Sequence, residues 1–270
     1  NTPWDVIKLD QLIGGKNSPI EQYFLELGIR PDGLLSASEE KDWASYYNWS
    51  TSPIKQKSDA DLGNSGIDKL ERIRGLMRAK AMSALFDRIL YDMETQGIAF
   101  TCLNPGVPID TSGIADESTF RNIAASALRM LGESYQYIPK KEFGQQNVST
   151  DPRNAWKDTD PTQGSTSLSK VRMRTYLQAC AKKLKIDYEI LRAAVSSALL
   201  KNKHGGWLIR DEHLYLKVIP EEQQSIVCSS CHRIHWHQSG GVCTRCFGDL
   251  PEGTNGETAK DLRKNHYYAS

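Results

Sequence analysis

The chain has 270 residues, 39% of them hydrophobic and 25% charged, with 34 Lys and Arg against 33 Asp and Glu for a net charge of +1. This is the composition of an ordinary soluble protein of one large domain or two or three small ones, and no apolar run approaches membrane-spanning length. A near-zero balance would also argue against a nucleic-acid partner if the charge were evenly spread, and it is not.

Residues 1–64 carry six basic and ten acidic side chains. Residues 170–217 carry eleven basic ones (Lys170, Arg172, Arg174, Lys182, Lys183, Lys185, Arg192, Lys201, Lys203, Arg210, Lys217) against four acidic ones (Asp187, Glu189, Asp211, Glu212). Such segregation is the footprint of a surface that meets phosphates, although a solvated basic face with no partner produces it too.

In chain order, Ser18-Pro19-Ile20-Glu21 predicts a short helix to about Gly28, with a serine cap, proline in the first turn and glutamate three residues on. Ser36-Ala37-Ser38-Glu39 predicts a second, aromatic-rich helix through Trp43 to Trp49, and the polar residues 50–66 read as a loop. From Ile67 to about Gln96, apolar residues recur at helical spacing (Ile67, Leu70, Ile73, Met77, Ala81, Leu85), with a basic outer face and Gly97 as the stop. Ala99 to Leu103 reads as a strand, and a helix follows from about Glu117 to Tyr135 with Phe120, Ile123, Ala127, Leu128 and Leu131 facing inward.

Residues 142–169 are rich in Gln, Ser, Thr, Asp, Gly and Pro and read as a linker. Two helices are expected next, about Lys170 to Leu184 and Tyr188 to Asn202, the second capped by Asp187. Trp207 to Val218, turning at Asp211-Glu212, reads as a hairpin. Two helices and a two-stranded wing suggest a small winged-helix unit.

Cys228, Cys231, Cys243 and Cys246 stand as C-x2-C-x11-C-x2-C. Two pairs of thiolates, each two residues apart, supply the four soft ligands of a closed structural zinc site. A redox pair or disulfides are the alternatives; against them, there is no signal peptide, and the other two cysteines, Cys102 and Cys180, sit singly in apolar stretches. One zinc ion held by four thiolates would support folding, not catalysis, since no position stays open for water. Between the knuckles, strand-like alternation puts Arg233, His235 and His237 on one face and Ile234 and Trp236 on the other. With Arg245, this cationic and aromatic tip suits phosphate contact and base stacking, the competing role for Trp236 being to cap the core of the small domain.

Catalytic motifs are absent from the sequence. Leu208-Ile209-Arg210-Asp211-Glu212-His213 looks like the metal-binding acidic box of an ATPase, but its histidine falls one place early. Gly14-Gly15-Lys16-Asn17-Ser18 lacks the glycine and hydroxyl spacing of a phosphate loop. These features give a fold class that is mainly α with small β. They divide the chain into a helical domain over 1–141, a flexible linker over 142–169, a winged-helix-like unit over 170–220, a zinc ribbon over 221–250 and a connection to a following domain over 251–270. A start at Asn1 and an aromatic end at Tyr267-Tyr268-Ala269-Ser270 read as a piece of a longer, cytoplasmic polypeptide.

Leu85-Phe86-Asp87-Arg88 with Asp92-Met93-Glu94 and Gly97 resembles a helix of very large bacterial superfamily 2 helicases, and Ala127-Leu128-Arg129 with Glu133-Ser134-Tyr135 is similar to another of their segments. The cysteine block, from Cys228 through His235, His237, Gly240-Gly241-Val242 to Cys246, resembles their zinc knuckle, and His266-Tyr267-Tyr268-Ala269 resembles the "NYYA" that follows it. The family is the DEAD/DEAH-box type of bacterial anti-phage defence, Druantia systems included. His232 stands where that family usually has glycine, and the 142–169 linker departs from its pattern.

The resemblance implies an accessory region between two RecA-like lobes of an ATP-driven DNA helicase, which helps grip or separate strands. ATP and Mg are then expected only in the remaining helicase domains of the same chain. It implies DNA as partner, a defence-system subunit as a further one, and Arg233, His235, Trp236, His237, Arg245, Lys201, Lys203 and Arg210 as contacts. The rival expectation is a zinc-stabilised scaffold that docks a protein through the same surface.

Overall fold

The computed structural model describes residues 6–8, 16–28, 43–85, 93–110, 113–114, 116–132, 156–157, 168–203, 206–210 and 213–269. Among these are six α-helices and ten short strands. No helix among the described residues is long and apolar enough to cross a membrane.

Apart from its first strand, which pairs into the central sheet, the N-terminal part packs around a small cluster of its own. Strand β1 (Val6–Lys8) is followed by helix α1 (Pro19–Glu26), capped as its sequence predicts: Ser18 Oγ accepts the Glu21 amide at 3.3 Å. Glu21 bends back to accept the Asn17 amide at 2.6 Å, so two free amides at the helix start are satisfied reciprocally. Where an aromatic helix was expected through Trp49, a 3-10 turn (Trp43–Tyr46) runs into strand β2 (Tyr47–Asn48), paired with β3 (Lys55–Gln56). Tertiary packing overrides helical propensity here, because Trp43, Tyr46 and Tyr47 are all needed in a core with Leu25, Leu70 and Ile73. The residues before Trp43 lie outside the described set. Helix α2 (Asp59–Leu85) starts earlier than its apolar periodicity, with a break at Gly63, whose φ of 62° lies in the left-handed region.

One polar cluster is buried inside this unit. Glu21 Oε1 receives the Tyr47 hydroxyl at 2.6 Å and two Arg74 nitrogens at 3.1 and 3.0 Å, with Glu21 1% and Arg74 7% exposed. Arg74 also reaches Gln56 Oε1 and Glu71, so every charge in the cluster has an opposite partner.

Strand β4 (Ala99–Leu103) forms as predicted, and helix α3 (Glu117–Gly132) buries all five residues assigned to its inner face. Asp116 caps α3 by accepting the Thr119 amide at 2.8 Å. Helices α4 (Leu168–Leu184) and α5 (Tyr188–Leu199) follow, with Asp187 accepting the Glu189 and Ile190 amides at the start of α5. Within the expected linker, β5 (Trp156–Lys157) pairs with the chain at Gly206-Trp207, and the rest up to Leu168 lies outside the described residues.

The expected Trp207–Val218 hairpin is not what forms. Strand β6 (Leu200–Lys203) continues directly from α5 and pairs antiparallel with β7 (Gly206–Ile209), bringing Lys203 opposite Gly206. Strand β8 (Leu214–Val218) leaves that ribbon and becomes the centre of a different sheet, ordered β1-β8-β4. The reason is burial: Leu214 and Leu216 belong to the main core, and β4, over a hundred residues earlier, offers the matching apolar face.

That core gathers Leu103, Phe120, Ile123, Leu128, Met173, Tyr176, Leu177, Cys180, Leu191, Val195, Leu199, Leu214 and Val242. It therefore draws on the segments expected as helical domain, winged-helix-like unit and zinc ribbon together. Helix α6 (Ala259–Ala269) returns against β4, where Arg263 donates to the Gly97 and Ile219 carbonyls.

Candidate metal centre

Strand β9 (Ile226–Val227) delivers Cys228 and pairs antiparallel with β10 (Ile234–His235). The turn between them closes through Cys228 N–H to Arg233 O at 3.0 Å and His232 N–H to Cys228 O at 2.9 Å. The second knuckle repeats this design, with Cys243 N–H to Gly248 O at 2.9 Å and Phe247 N–H to Cys243 O at 3.0 Å. In both, the residue after the second cysteine is left-handed, His232 at φ 56° and Phe247 at φ 60°. Glycine is the residue that adopts this conformation without steric cost, so the departure from glycine at His232 falls on a strained position.

The two knuckles bring all four sulfurs within 4.8 Å of one another. Cys228 Sγ lies 3.5 Å from Cys246 Sγ, and Cys231 Sγ 3.5 Å from Cys243 Sγ. These separations are too long for disulfides, whose S–S bond is about 2.05 Å, and all four thiols are free. They are close to the edge of about 3.8 Å that a tetrahedron of metal–sulfur bonds of about 2.3 Å requires, so the four cysteines fit a single metal ion. Burial works against the Cys228 thiolate, yet the Cys231 and Ser230 amides outweigh it and lower that thiol to about 7. Burial dominates at Cys243, which is pushed up to about 12 even though its sulfur accepts the Arg245 amide at 3.4 Å. A site closed by four sulfurs leaves no position for water or substrate, so its chemistry is structural.

The residues between the knuckles are placed differently from expectation. The strand covers only Ile234–His235, so the expected alternation from Arg233 to His237 does not extend along the loop, and His235 and Trp236 are both buried against α3 and α6. Trp236 is 4% exposed, donates its indole N–H to Glu94 O at 2.7 Å and packs with Phe100, Ile219, Ala259 and Leu262. It is the capping residue of a core and offers no stacking surface. His235 is 1% exposed, and burial, helped by the nearby Arg129 charge, lowers its pKa to about 2. His237 sits against the Phe100 ring, centroids 5.1 Å apart, and burial lowers it to about 3. Burial disfavours the charged form of both imidazoles, which argues against their serving as phosphate contacts.

Of the other candidates, Arg245 is exposed, while Arg233, Lys201 and Arg210 are half-buried. Arg210 Nε is engaged by the Leu200 carbonyl at 2.8 Å. Lys201 and Lys203 lie two apart on β6, in the β5-β7-β6 sheet and not in the knuckle's own sheet; the side chain of Lys203 lies outside the described set.

The contact that sequence reasoning missed is the seat of the knuckle on the helices. The turn Ser239–Gly241 enters the groove between α3 and α4, where the Tyr176 hydroxyl donates to Ser239 O at 3.0 Å and the Ser126 and Ser239 hydroxyls meet. A Cβ on Gly240 would stand 2.8 Å from Ile123 Cγ1 and 3.2 Å from Cys180 Sγ, and φ there is +64°. The Gly240-Gly241 pair was its signal, since adjacent glycines mark a turn or a close backbone approach. From α4, Arg172 reaches Thr244 O at 3.2 Å and Lys183 reaches Gly241 O at 3.0 Å and Asp249 at 2.7 Å. Compared with protein-family models, with curated proteins and with solved structures, the chain finds no match in any of the three.

Proposed function

We propose that this chain is a zinc-stabilised, DNA-binding accessory region of an ATP-dependent helicase or translocase of the kind used in bacterial defence against phage. The parent assignment rests on the resemblance of the cysteine block and the helical strings; zinc rests on the all-thiolate, closed donor set. ATP and Mg belong to the remaining domains of the parent.

The observation that carries the DNA reading is the outer face of α4. Arg174 and Lys182 on that helix, and Lys185 just beyond it, are exposed, as is Arg245 on the second knuckle, while Arg172, two residues from Arg174 and so on another side of α4, is engaged at Thr244 O. Cations that are exposed and spaced along a helix are the ones able to release counterions from a phosphate backbone. The contact surface is therefore assigned to Arg174, Lys182, Lys185 and Arg245, with Lys201 and Lys203 as a second, smaller group.

The test is the salt dependence of DNA binding by the full chain and by Arg174→Ala, Lys182→Ala and Arg245→Ala. Each variant should weaken binding across sequences and reduce the slope of log K against log salt by about 1 for each phosphate contact removed. Slopes equal to that of the unaltered chain would refute the reading.

Docking of a protein subunit is the second reading, favoured by Ile190, which is 44% exposed beside a groove of about 610 Å³ lined also by Ile109, Ile114 and Ala194. Binding through that groove would be insensitive to salt and lost in Ile190→Asp.

A further inference from the structure

The metal site and the main core share a single seam. The Ser239–Gly241 turn precedes the second pair of cysteines by two residues, and it fills the groove between α3 and α4. Ser239 and Gly240 are buried, Val242 is 2% exposed within the main core, and Cys180, on the α4 side of the groove, is 0% exposed. The segment that leads into the ligands is thus the same segment that covers Cys180.

The turn is held chiefly by side-chain contacts with the helices and by close packing at Gly240. Its own strand pairing is limited to one bridge, Val242 with Asp249, inside the second knuckle. Its polar anchors to the helices are the Tyr176 and Ser126 hydroxyls at Ser239 and Lys183 Nζ at Gly241 O. The apolar core of the knuckle itself is Ile226, Leu250 and two of the ligands, Cys228 and Cys243. A fold whose local core includes the ligand side chains depends on the metal for its order.

From this geometry we infer that the four-cysteine site is a gate on the α3–α4 groove: metal binding seats the Ser239–Val242 segment over Cys180, and metal loss unseats it and opens the groove while the helical body stays folded. The body has support of its own, because Phe120, Ile123, Leu128, Tyr176, Leu191 and Leu199 are buried in one cluster to which the knuckle contributes Val242 and, half-buried, Phe247. Metal content thereby controls access to a buried thiol and to the groove around it. The inference concerns metal occupancy and is independent of whether the α4 face meets DNA.

The experiment follows thiol alkylation residue by residue in the full chain, zinc-loaded and then treated with a chelator, with mass-spectrometric readout at each cysteine. Cys102 is the internal control: it lies on β4, outside the α3–α4 groove and beside the Trp236 cluster, and is half-buried with its thiol raised to about 11 by burial. On metal removal, Cys180 should react at least tenfold faster, together with the four ligands, while Cys102 keeps its rate; adding zinc back before alkylation should restore Cys180 protection. Labelling of the four ligands with Cys180 still protected would overturn the gate, because the knuckle would then detach without opening the groove. Equal acceleration of Cys102 and Cys180 would overturn it as well, since that is general unfolding.

Gly240→Val is an independent test. It keeps every ligand but places a side chain against Ile123 and Cys180 at a φ of +64°. This variant should bind one zinc and yet show fast Cys180 alkylation; a zinc-loaded Gly240→Val with Cys180 protected as in the unaltered chain would also refute the gate. If this variant does not fold, the chelation experiment decides alone.

Discussion

The most direct test of the enclosed knuckle is its response to acid. His235 is 1% exposed, its Nε2 has no hydrogen-bond partner among the described residues, and its pKa is lowered to about 2, first by burial and then by Arg129. In the unfolded chain the same imidazole titrates near 6.5. Because the folded value lies below the unfolded one, the unfolded state binds more protons between the two, and stability falls as pH drops through that window. The contribution is intact above the unfolded pKa and is lost at about 1.4 kcal/mol per pH unit below it.

Between pH 7 and pH 5 the His235 contribution amounts to about 2 kcal/mol, from a native state that stays neutral while the unfolded state becomes almost fully protonated. The perturbation is His235→Phe, which removes the titration and fills the same apolar slot. Urea unfolding of both zinc-loaded proteins at pH 7, 6 and 5 isolates the term, because proton competition at the cysteines is common to both and cancels in the difference. The unaltered chain should lose about 2 kcal/mol more than His235→Phe over that range. Parallel losses in the two proteins would mean that His235 is hydrated and able to charge in the folded state, and the enclosed position of β10 would be wrong.

Metal analysis should find one zinc per chain, and chelation or Cys243→Ser should lower the melting temperature; a metal-free chain with unchanged melting would remove the structural role of the site. Glu21→Gln should cost about 3 kcal/mol in urea unfolding, since it leaves Arg74 buried without its main counter-charge. A change below about 0.5 kcal/mol would mean that water reaches the cluster. At His232, with φ 56°, glycine should be at least as stable as histidine, whereas His232→Val should lose about 1–2 kcal/mol in thermal melting at saturating zinc. Valine tolerated without loss would show that the first knuckle does not hold the left-handed turn.

Local signals in this chain were legible where the physics is local. Ser18 and Asp187 cap the helices they were expected to cap, because a side-chain oxygen two or three residues from a free amide needs nothing else. The five inward residues of α3 and the strand at Ala99–Leu103 follow from periodicity for the same reason. Trp43 to Trp49 misled because aromatic side chains serve a 3-10 turn and a strand as well as a helix, and the neighbours that decide between them come from α1 and α2. The hairpin was misassigned because Leu214 to Val218 fits any strand with an apolar face, and its partner lies at Ala99–Leu103.

The cysteine spacing pointed to four sulfurs converging where they could hold one metal ion, since two short knuckles leave each pair little freedom. The residues between the knuckles also pointed to a strand, which forms over Ile234–His235. Which way that strand faces was decided by tertiary structure. Burying Trp236 under α6 and seating Gly240 against Ile123 required surfaces from residues 94–126 and 173–183, and that packing drew His235 and Trp236 of the expected tip into the interior. Long-range apolar burial has no local spacing to announce it, so the exposed cations of the α4 face became candidate contacts only once the chain was folded, whereas Arg245 was already one from its place between the second pair of cysteines.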